Sequence, residues 1–196
     1  MRAIAITGGI ACGKSLAGRY LAEMGVPVCE ADDLARAVLA QGEAVRERVV
    51  AEFGPGVVMP DGAIDRAALA SLVFGDSMKL ERLNALTHPE IMKRLRAWVA
   101  GQSTKTSCVA AVIPLLHEIH DEAQWDVVVC VAAPEDEQRR RLVARGMAVK
   151  DAEARIHSQL RLSEKMERSD YVVFNGGSER LLQEQLGRVM RSIRGG

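Results

Sequence analysis

The sequence predicts an α/β fold in which helices cover both faces of a parallel β-sheet. Short runs of β-branched and other apolar residues alternate with longer stretches of helical periodicity. Each short run is almost continuously apolar, which is typical of parallel strands buried on both faces. With 196 residues, 48% of them hydrophobic, the chain can form a sizeable core. The predicted strands are Ala3–Thr7, Val26–Glu30, Cys108–Ile113, Val127–Ala132 and Tyr171–Phe174.

Residues typical of helix starts and helix ends lie between these strands and predict helices there. A helix is predicted from Lys14 to Met24, because Gly25 can cap its C-terminus and Pro27 lies just beyond. Another is predicted to begin near Pro134, where the acidic residues that follow would interact favourably with the helix dipole. The last helix is predicted from about Ser178. This alternation favours a doubly wound sheet.

The stretch from 32 to 102 departs from the alternation, because it is predicted to be helical almost throughout. Two turn signals rich in glycine and proline interrupt it, at 54–56 and 60–62. Asp65 is predicted to cap a helix that runs through Phe74, and His88-Pro89 is predicted to start a further helix. This stretch is too long for a plain crossover between two strands. We therefore interpret it as a helical insert that holds a substrate.

The composition argues against several classes of function. Lys plus Arg and Asp plus Glu both number 26, and aromatic residues make up only 4%, so nucleic acid is not a predicted partner. No run approaches the roughly 18 apolar residues of a transmembrane helix, and the N-terminal apolar run is too short for a signal peptide. The cysteines are too widely spaced for a zinc motif, and three lie in apolar, strand-like runs. We therefore predict a cytoplasmic protein without a membrane partner.

The strongest motif lies between the first predicted strand and the first predicted helix. It is the phosphate-loop pattern G-x-x-x-x-G-K-[ST], formed here by Gly8, Gly9, Ile10, Ala11, Cys12, Gly13, Lys14 and Ser15. Its glycines let backbone N–H groups point at phosphate oxygens, and the following helix adds its positive end. Lys14 is expected to reach the β- and γ-phosphates of ATP, and the Ser15 hydroxyl to bind Mg²⁺. The alternative is a glycine-rich turn with a surface lysine.

Among phosphate-loop proteins, the rest of the sequence favours a kinase of the nucleotide-kinase type. The chain has no Asn-Lys-x-Asp motif for guanine, and neither of the two middle strands ends in the Asp typical of motor ATPases. In such kinases, arginines of a lid stabilise the transferred phosphoryl group. Arg141 and Arg145 are four residues apart on the helix predicted at Pro134, so we expect them to share a helix face. They belong to a charged segment, 139–165, which we interpret as a mobile cover; the alternative is a solvated basic face.

Several local patterns together resemble the dephospho-CoA kinase family. The phosphate loop with the preceding Thr7 is similar to that family's loop, and Glu30-Ala31-Asp32-x-Leu34-Ala35-Arg36 resembles its Asp-Ala-Asp-x-Ile-Ala-Arg segment. The later matches follow in the family's order: Asp65-Arg66-x-x-Leu69 with Val73-Phe74, Thr87-His88-Pro89-x-Ile91, Pro114-Leu115-Leu116-x-Glu118, Gln138-x-x-Arg141-x-x-x-Arg145, Gln159 and Asp170-x-x-x-x-Asn175. Each string is short, but together they span nearly the whole chain, which makes the resemblance specific.

The resemblance implies a phosphate-loop NTPase fold with three α/β/α layers, a five-stranded parallel sheet, a helical substrate insert and a lid. The implied division is a nucleotide-binding core of 1–31, 103–138 and 166–196, an insert of 32–102 for the CoA substrate and a lid of 139–165. The implied reaction is transfer of a phosphoryl group from ATP, with Mg²⁺, to the ribose 3′-hydroxyl of dephospho-CoA, which is the last step of coenzyme A synthesis. Assembly into a homo-oligomer stays open.

The resemblance also implies roles for individual residues. Asp32 would accept the hydroxyl proton or orient that oxygen, while Lys14, Arg141 and Arg145 would stabilise the transferring group. Thr7 and Glu118 would order Mg²⁺ and its waters. ATP is expected to contact the loop residues together with Leu16 and Asn175, the latter near the adenine. Substrate contacts are expected at Thr7, Asp32, Arg36, Asp65, Arg66, His88, Leu115 and Glu118.

Simpler roles stay open for several of these residues. Asp32 or Asp33 could be only a helix N-cap, and Glu118 a solvated carboxylate at a helix start. His88, before Pro89, could simply begin a helix. A pair of surface histidines is the preferred interpretation of His117 and His120, with metal binding as the alternative.

The chain departs from the family's pattern at a few positions. Glu30 stands in place of an Asp, Leu16 in place of a Thr or Ala, and His117 in place of an aromatic residue. Ala11 and Cys12 replace a Gly-Ser pair inside the loop. Because a helix N-terminus lowers the pKa of a thiol, we expect Cys12 to be sensitive to oxidation or alkylation.

Two other functions compete with the implied one. The first is a kinase for another small acceptor, such as a nucleoside monophosphate or a polyol, and the insert with Asp65-Arg66 and His88-Pro89 argues against it. The second is a non-catalytic nucleotide-binding switch or regulatory subunit. Asp32 and the lid arginines favour catalysis, because a protein that only binds nucleotide needs neither.

Overall fold

The computed structural model describes residues 1–73, 76–102 and 106–195. Phe74, predicted to lie in a helix, and residue 103, the predicted start of the second core segment, lie outside these residues. The described strands are β1 (Arg2–Gly8), β2 (Val28–Glu30), β3 (Cys108–Val112), β4 (Val127–Ala132) and β5 (Tyr171–Phe174). All five predicted strands are confirmed. The second is shorter than predicted, because it begins only after Pro27, which has no N–H to donate to a neighbouring strand.

The helices in the described ranges are α1 (Lys14–Glu23), α2 (Ala31–Val38), α3 (Ala44–Phe53), α4 (Arg66–Val73), α5 (Ser77–Ala100), α6 (Glu135–Ala144), α7 (Val149–His157), α8 (Leu162–Glu167) and α9 (Glu179–Gly195). The helices predicted after the first strand, at Pro134 and at the end of the chain are therefore confirmed. The chain divides into two compact units, one of Met1–Glu30 with Gly101–Gly196 and the other of Ala31–Ala100.

The first unit contains the sheet, whose strand order is β2-β3-β1-β4-β5 with every neighbouring pair parallel. Strand β1 is central, and Ile4 is in register with Ala110 of β3 on one side and Val127 of β4 on the other. Strands β2 and β3, which follow β1 in the chain, lie on one side of it, and strands β4 and β5 lie on the other side. The carboxyl end of β1 therefore lies at a topological switch point, where open α/β sheets bind ligands.

The core of this unit forms because its central strands carry apolar side chains on both faces. Strands β3 and β4 are buried along their whole length. Helices α1 and α9 pack against each other and against the sheet, and α8 contacts β1 and β4. Ile4, Ile6, Leu21, Val129 and Leu186 belong to one buried cluster. The predicted doubly wound α/β fold is confirmed.

The second unit is almost entirely helical, as predicted from 32 to 102. One antiparallel bridge, between Val58 and Ile64, closes the turn predicted at 60–62. The expected helix start at His88-Pro89 is wrong, because Pro89 lies inside α5, a helix of 24 residues. Buried Ile91 and Leu95 anchor the helix beyond the proline, so packing outweighs the loss of one backbone hydrogen bond.

None of the helices in the described residues combines the length and the apolarity needed to span a bilayer.

Candidate active site

The phosphate loop connects β1 to α1, and two of its glycines are required by close contacts. Gly8 has φ 141°, and a Cβ there would lie 2.1 Å from the carbonyl oxygen of Val131. Gly13 precedes α1 with φ 96°, and a Cβ there would lie 2.1 Å from Nδ2 of Asn175. Because L side chains rarely adopt such φ values, these positions favour glycine for conformation as well as for space.

Donors from two other parts of the sheet unit hold the loop backbone. Asn175, which follows β5 and is 4% exposed, donates from Nδ2 to the carbonyl oxygen of Cys12 at 2.9 Å. Arg141 of α6 donates from Nη1 to the carbonyl oxygen of Ala11 at 3.1 Å and from Nη2 to that of Asn175 at 2.7 Å. We call these two side chains, Arg141 and Asn175, the loop clamp. These hydrogen bonds connect the loop backbone to α6 and to the residue that follows β5.

The two predicted lid arginines have different surroundings. Arg141 is half-buried and also donates from Nε to Glu137 at 2.8 Å. Arg145 comes directly after the last residue of α6 and is exposed, so the expectation that the two share a helix face stays a prediction. The helix ends there because Gly146, with φ 89°, turns the chain. The hydrogen bond from Arg140 lowers the pKa of Glu137 to about 2, and the charge of Arg141 adds to the effect.

Lys14 and Ser15, at the start of α1, have partners near the expected phosphate site. Nζ of Lys14 donates to the carbonyl oxygens of Gly8 at 3.1 Å and Gly9 at 2.8 Å, so the ammonium group lies against the loop. The Ser15 hydroxyl donates to Oε2 of Glu30 at 3.2 Å. The longer Glu30 side chain, which stands where the family has Asp, therefore reaches the residue expected to bind Mg²⁺. Leu16 is half-buried and packs against the core.

The two substituted loop residues are buried against their surroundings. Cys12 is completely buried, and this burial raises the pKa of its thiol more than the charge of Lys14 lowers it. The expectation of a low-pKa, reactive thiol is therefore wrong, because burial outweighs the effect of the helix N-terminus. Ala11 adopts φ 57° and packs against Leu142 and Ala152.

The segment expected to be a lid packs on the outer part of the loop. Ile10, Met147 and Ile156 pack around the small cluster that contains Ala11. Oε1 of Gln159 accepts a hydrogen bond from the backbone N–H of Ile10 at 3.0 Å. A cavity of about 740 Å³ lies here, and it is lined by Gly9, Ile10, 133–135, Gln138, Ile156, His157 and 159–163. A cavity of this volume is large enough for a small-molecule ligand.

The turn after β3 carries Glu118, which the structure pairs with a buried lysine. Oε1 of Glu118 lies 2.7 Å from Nζ of Lys165 and accepts the N–H of Leu160 at 3.2 Å. Lys165 is 0% exposed and also donates to the carbonyl oxygen of Pro114 at 3.1 Å. The alternative of a solvated carboxylate at a helix start is therefore wrong, since this segment is a turn and the carboxylate is ion-paired. Leu115, in the same turn, is half-buried.

Two side-chain oxygens near the carboxyl edge of the sheet have no hydrogen-bond partner in the described part of the chain. They are Oγ1 of Thr7, in β1, and Oε2 of Glu118. Both atoms are buried, and leaving a buried polar atom unpaired costs roughly 1–3 kcal/mol. Unpaired atoms of this kind are frequently explained by a missing ligand, ion or water.

The interpretation of His117 and His120 as a surface pair is wrong for His117. This imidazole is completely buried, its Nε2 lies 3.3 Å from Oγ of Ser169, and burial lowers its pKa. His120 is exposed. The described residues contain no group of three side chains able to hold a metal ion through His, Cys, Asp or Glu.

Asp32 and Arg36, which are expected to contact the molecule that accepts the phosphoryl group, lie on α2 at the start of the helical unit. Asp32 is exposed in the first turn of this helix, so it is not an N-cap. It follows Glu30, the residue that contacts Ser15, by only two positions. The neighbouring Asp33 pairs with Arg36.

The remaining expected substrate residues have roles within their own helices. Oδ1 of Asp65 accepts the N–H groups of Ala67 at 3.0 Å and Ala68 at 2.9 Å, which confirms the predicted N-cap of α4. Arg66 is exposed. His88 is half-buried within α5, and this burial lowers its pKa.

The sequence pattern does not indicate Lys165 as a site residue. It lies at the end of the charged segment 139–165, and lysine is almost never fully buried unless it is paired. The carboxylate in the turn Pro114-Leu115-Leu116-x-Glu118, which resembles a turn of the family, could have indicated that a cation lies nearby, but not which residue supplies it.

Comparisons with known proteins decide the family. Residues 2–180 match the family model described as dephospho-CoA kinase. A dephospho-CoA kinase of Anaeromyxobacter dehalogenans is 41% identical over 198 residues, which cover 100% of this chain and 94% of the relative. The chain belongs to the dephospho-CoA kinase family. Membership makes it a phosphotransferase that uses ATP, and the resemblance stated from the sequence is confirmed.

Solved structures share the fold of this chain. A crystal structure from Thermus thermophilus has a TM-score of 0.83 and 34% identity, and the match covers 98% of this chain and 97% of that one. A dephospho-CoA kinase from Campylobacter jejuni has a TM-score of 0.72 at 24% identity, with 97% of this chain and 96% of that chain covered. The second likeness shows that the phosphate-loop kinase fold of the family is shared.

Proposed function

We propose that this protein transfers the γ-phosphoryl group of ATP to the ribose 3′-hydroxyl of dephospho-CoA, giving ADP and CoA. The observation that carries the proposal is the phosphate loop at the carboxyl end of the central strand, already held by the loop clamp. Family membership identifies the acceptor. Lys14 and Ser15 supply the phosphate and metal contacts that such a loop needs, and Asp32 follows two residues after the carboxylate that contacts Ser15.

The proposed chemistry is a direct displacement at phosphorus. The 3′-oxygen forms a bond to the γ-phosphorus while the bond between that phosphorus and the β–γ bridging oxygen breaks, so ADP leaves with the bridging oxygen. The hydroxyl proton passes to the Asp32 carboxylate and then to water. Lys14, Arg141 and Arg145 offset the charge of the transferring group. Catalysis of this type depends mainly on positioning and on offsetting charge.

We further propose that Ser15 binds Mg²⁺, while Thr7, Glu30 and Glu118 order its waters. The residues fit the ion, because all four offer oxygen ligands of the kind that Mg²⁺ prefers. Two of those oxygens, Oγ1 of Thr7 and Oε2 of Glu118, are buried without a partner among the described residues. Bound Mg²⁺ would neutralise charge on the β- and γ-phosphates.

The proposed division of labour follows the family. Residues 1–31, 103–138 and 166–196 form the nucleotide-binding core, with Asn175 near the adenine; residues 32–102 bind the CoA part of the acceptor; and 139–165 act as the lid. Arg36, Asp65, Arg66, His88 and Leu115 would contact the acceptor.

A cytoplasmic location is part of the proposal. All four cysteines are free thiols, which fits the reducing environment of the cytoplasm.

The assay is ADP release by purified protein with Mg-ATP, with and without dephospho-CoA, and with AMP and gluconate as control acceptors. We expect release that depends on dephospho-CoA, with CoA identified by mass. Release with another acceptor instead would keep the kinase but overturn the proposed acceptor. No release with any acceptor would favour a regulatory nucleotide-binding role.

Replacement of the proposed base tests the mechanism. We expect Asp32→Asn to lower kcat by at least roughly 10²-fold, which is typical of acid–base groups, while ATP binding measured by calorimetry stays within a few-fold of the original protein. The matched control is Asp33→Asn, which changes the neighbouring carboxylate that pairs with Arg36. Equal turnover by Asp32→Asn and the original protein would exclude Asp32 as the base or orienting group.

A further inference from the structure

Lys165 is a buried cation without a role in the reaction proposed above. It lies on α8, its side chain is 0% exposed, and it joins both ends of the turn after β3. Its Nζ contacts Oε1 of Glu118 at 2.7 Å and the carbonyl oxygen of Pro114 at 3.1 Å. Burying an ammonium group is costly unless it is paired and hydrogen-bonded, so this arrangement fixes the lysine and the turn together.

The lysine leaves the two oxygens of Glu118 in different states. Oε1 is ion-paired with the ammonium group of Lys165 and accepts a hydrogen bond from the N–H of Leu160 at 3.2 Å, so this oxygen already has two partners. Oε2 is buried and has no hydrogen-bond partner among the residues that the structure describes. A carboxylate held through one oxygen presents the other in a fixed direction to a ligand.

The same contacts connect Glu118 to the phosphate-loop region. Leu160, which binds Oε1 of Glu118, lines the cavity together with Gly9 and Ile10 of the loop, and so does Leu162 of α8. Helix α8 also contacts β1, the strand that carries the loop. The direction of the free oxygen of Glu118 therefore depends on the segment 160–165 being in place.

We propose that Lys165 is a positioning residue of the phosphoryl-transfer reaction. It holds the Glu118 carboxylate so that Oε2 accepts a hydrogen bond from a water of the nucleotide-bound Mg²⁺, and it makes this geometry depend on the 160–165 segment. The inference rests on the role proposed above for Glu118.

The test uses Lys165→Met, Lys165→Arg, Glu118→Gln and the double variant Lys165→Met/Glu118→Gln. Arg188→Met, which changes an exposed cation of α9 outside the proposed lid, is the control. Three quantities are measured: kcat, KM for each substrate, and the Mg²⁺ concentration that half-saturates binding of a non-hydrolysable ATP analogue in calorimetry. The last readout does not require turnover.

We expect Lys165→Met to lower kcat and to raise the half-saturating Mg²⁺ concentration, each by roughly 10- to 100-fold, as is typical when the support of a metal-site ligand is lost. KM for ATP should stay within about two-fold, and Lys165→Arg should recover most of kcat, because it keeps a cation that can reach the same oxygens. The double variant should have the kcat of Glu118→Gln alone, since the lysine acts through the glutamate. The control should behave like the original protein.

Other results would overturn the proposal. One is an unchanged kcat and Mg²⁺ requirement in Lys165→Met; another is a double variant whose loss equals the product of the two single losses. If Lys165→Met does not fold by circular dichroism, the double variant still decides, because it leaves no unpaired buried charge: a kcat equal to that of Glu118→Gln supports the proposal, and a further roughly 10-fold loss overturns it.

The failure of the inference can be distinguished from failure of the proposed function. Absence of dephospho-CoA-dependent turnover in the original protein would refute the proposed function, whereas the calorimetric Mg²⁺ requirement would still test Lys165. An unimpaired Glu118→Gln variant would refute the role of Glu118 and, with it, that of Lys165. An impaired Glu118→Gln variant beside an unimpaired Lys165→Met variant would refute the inference alone.

Discussion

The sheet unit and the helical unit differ in how their expected site residues are held. In the sheet unit several of these residues contact the phosphate loop or one another: Arg141 and Asn175 bind loop carbonyls, and Ser15 binds Glu30. In the described part of the helical unit, the partners seen for two expected residues lie close to them in sequence. Asp65 caps its own helix, and Arg36 pairs with a residue three positions earlier.

The difference follows from the geometry of the two units. Parallel strands bring their carboxyl ends to one edge of a sheet, so the loops that follow them meet whether or not a ligand is present. Helices in a short insert have no such common edge, and their exposed polar side chains keep many rotamers until a ligand orders them. The sheet unit is therefore preorganised for nucleotide, and changes there should affect nucleotide binding most. Changes in the helical unit should first affect its own stability.

The largest effect is expected from Gly13→Ala, which breaks the preorganised part. Its Cβ would lie 2.1 Å from Nδ2 of Asn175, so either the hydrogen bond to Cys12 or the start of α1 must shift. We expect Mg-ATP binding, measured by calorimetry, to weaken by at least about 100-fold, as expected when phosphate donors lose their alignment.

Gly25→Ala is the matched control for this change. Gly25 also has a positive φ, 79°, but a Cβ there would meet nothing within 4 Å. It should therefore cost about 1 kcal/mol of stability from backbone strain and leave nucleotide binding unchanged. Equal effects of the two alanines on ATP binding would mean that strain, and not the contact with the loop clamp, is responsible.

A smaller effect is expected from Asp65→Ala in the helical unit. The change removes the acceptor for the N–H groups of Ala67 and Ala68, and loss of such a cap costs about 1 kcal/mol. Asp65→Asn keeps an acceptor oxygen and should restore most of the stability measured by urea unfolding. An equal loss in both variants would show that the charge matters and the cap does not.

The smallest effect concerns pH. Burial lowers the pKa of His88, so the folded protein binds a proton on this imidazole less readily than the unfolded chain, which takes one up near the usual pKa of about 6.5. The unfolded state then binds more protons, so stability is present above that pH and falls as the pH is lowered through it. We expect His88→Gln to reduce the loss of stability between pH 7.5 and 5.5, measured by urea unfolding.

Part of that slope should remain in His88→Gln, because burial also lowers the pKa of His117. A variant whose slope equals that of the original protein would show that His88 does not contribute.

The fold could be predicted well where local pattern and tertiary environment agree. All five strands were found, because each is a nearly continuous apolar run, and β1, β3 and β4 are buried over most or all of their length. The predicted break at His88-Pro89 was wrong, because apolar residues beyond the proline pack well enough to continue α5. A local rule fails there because the stabilising contacts come from residues distant in sequence.

In the candidate site, too, features that depend on consecutive residues could be predicted, and features that depend on the tertiary environment could not. The spacing of the phosphate loop identified Lys14 and Ser15, because that function depends on consecutive residues. The low pKa expected for the Cys12 thiol was wrong, because burial raises it more than the charge of Lys14 lowers it. Arg145 lies directly beyond the last residue of α6, and its role stays a prediction.

The sequence by itself determined the sheet, the phosphate loop and the family, because these depend on contiguous patterns. Only the tertiary structure decided which side chains hold the loop and which charges are buried. Asn175 reaches Cys12 across 163 positions, and Lys165 reaches Glu118 from a segment whose sequence looks solvated. The physical reason is that the free energy of a buried polar contact depends on the partner and the loss of water, and neither is encoded at the position of the residue itself.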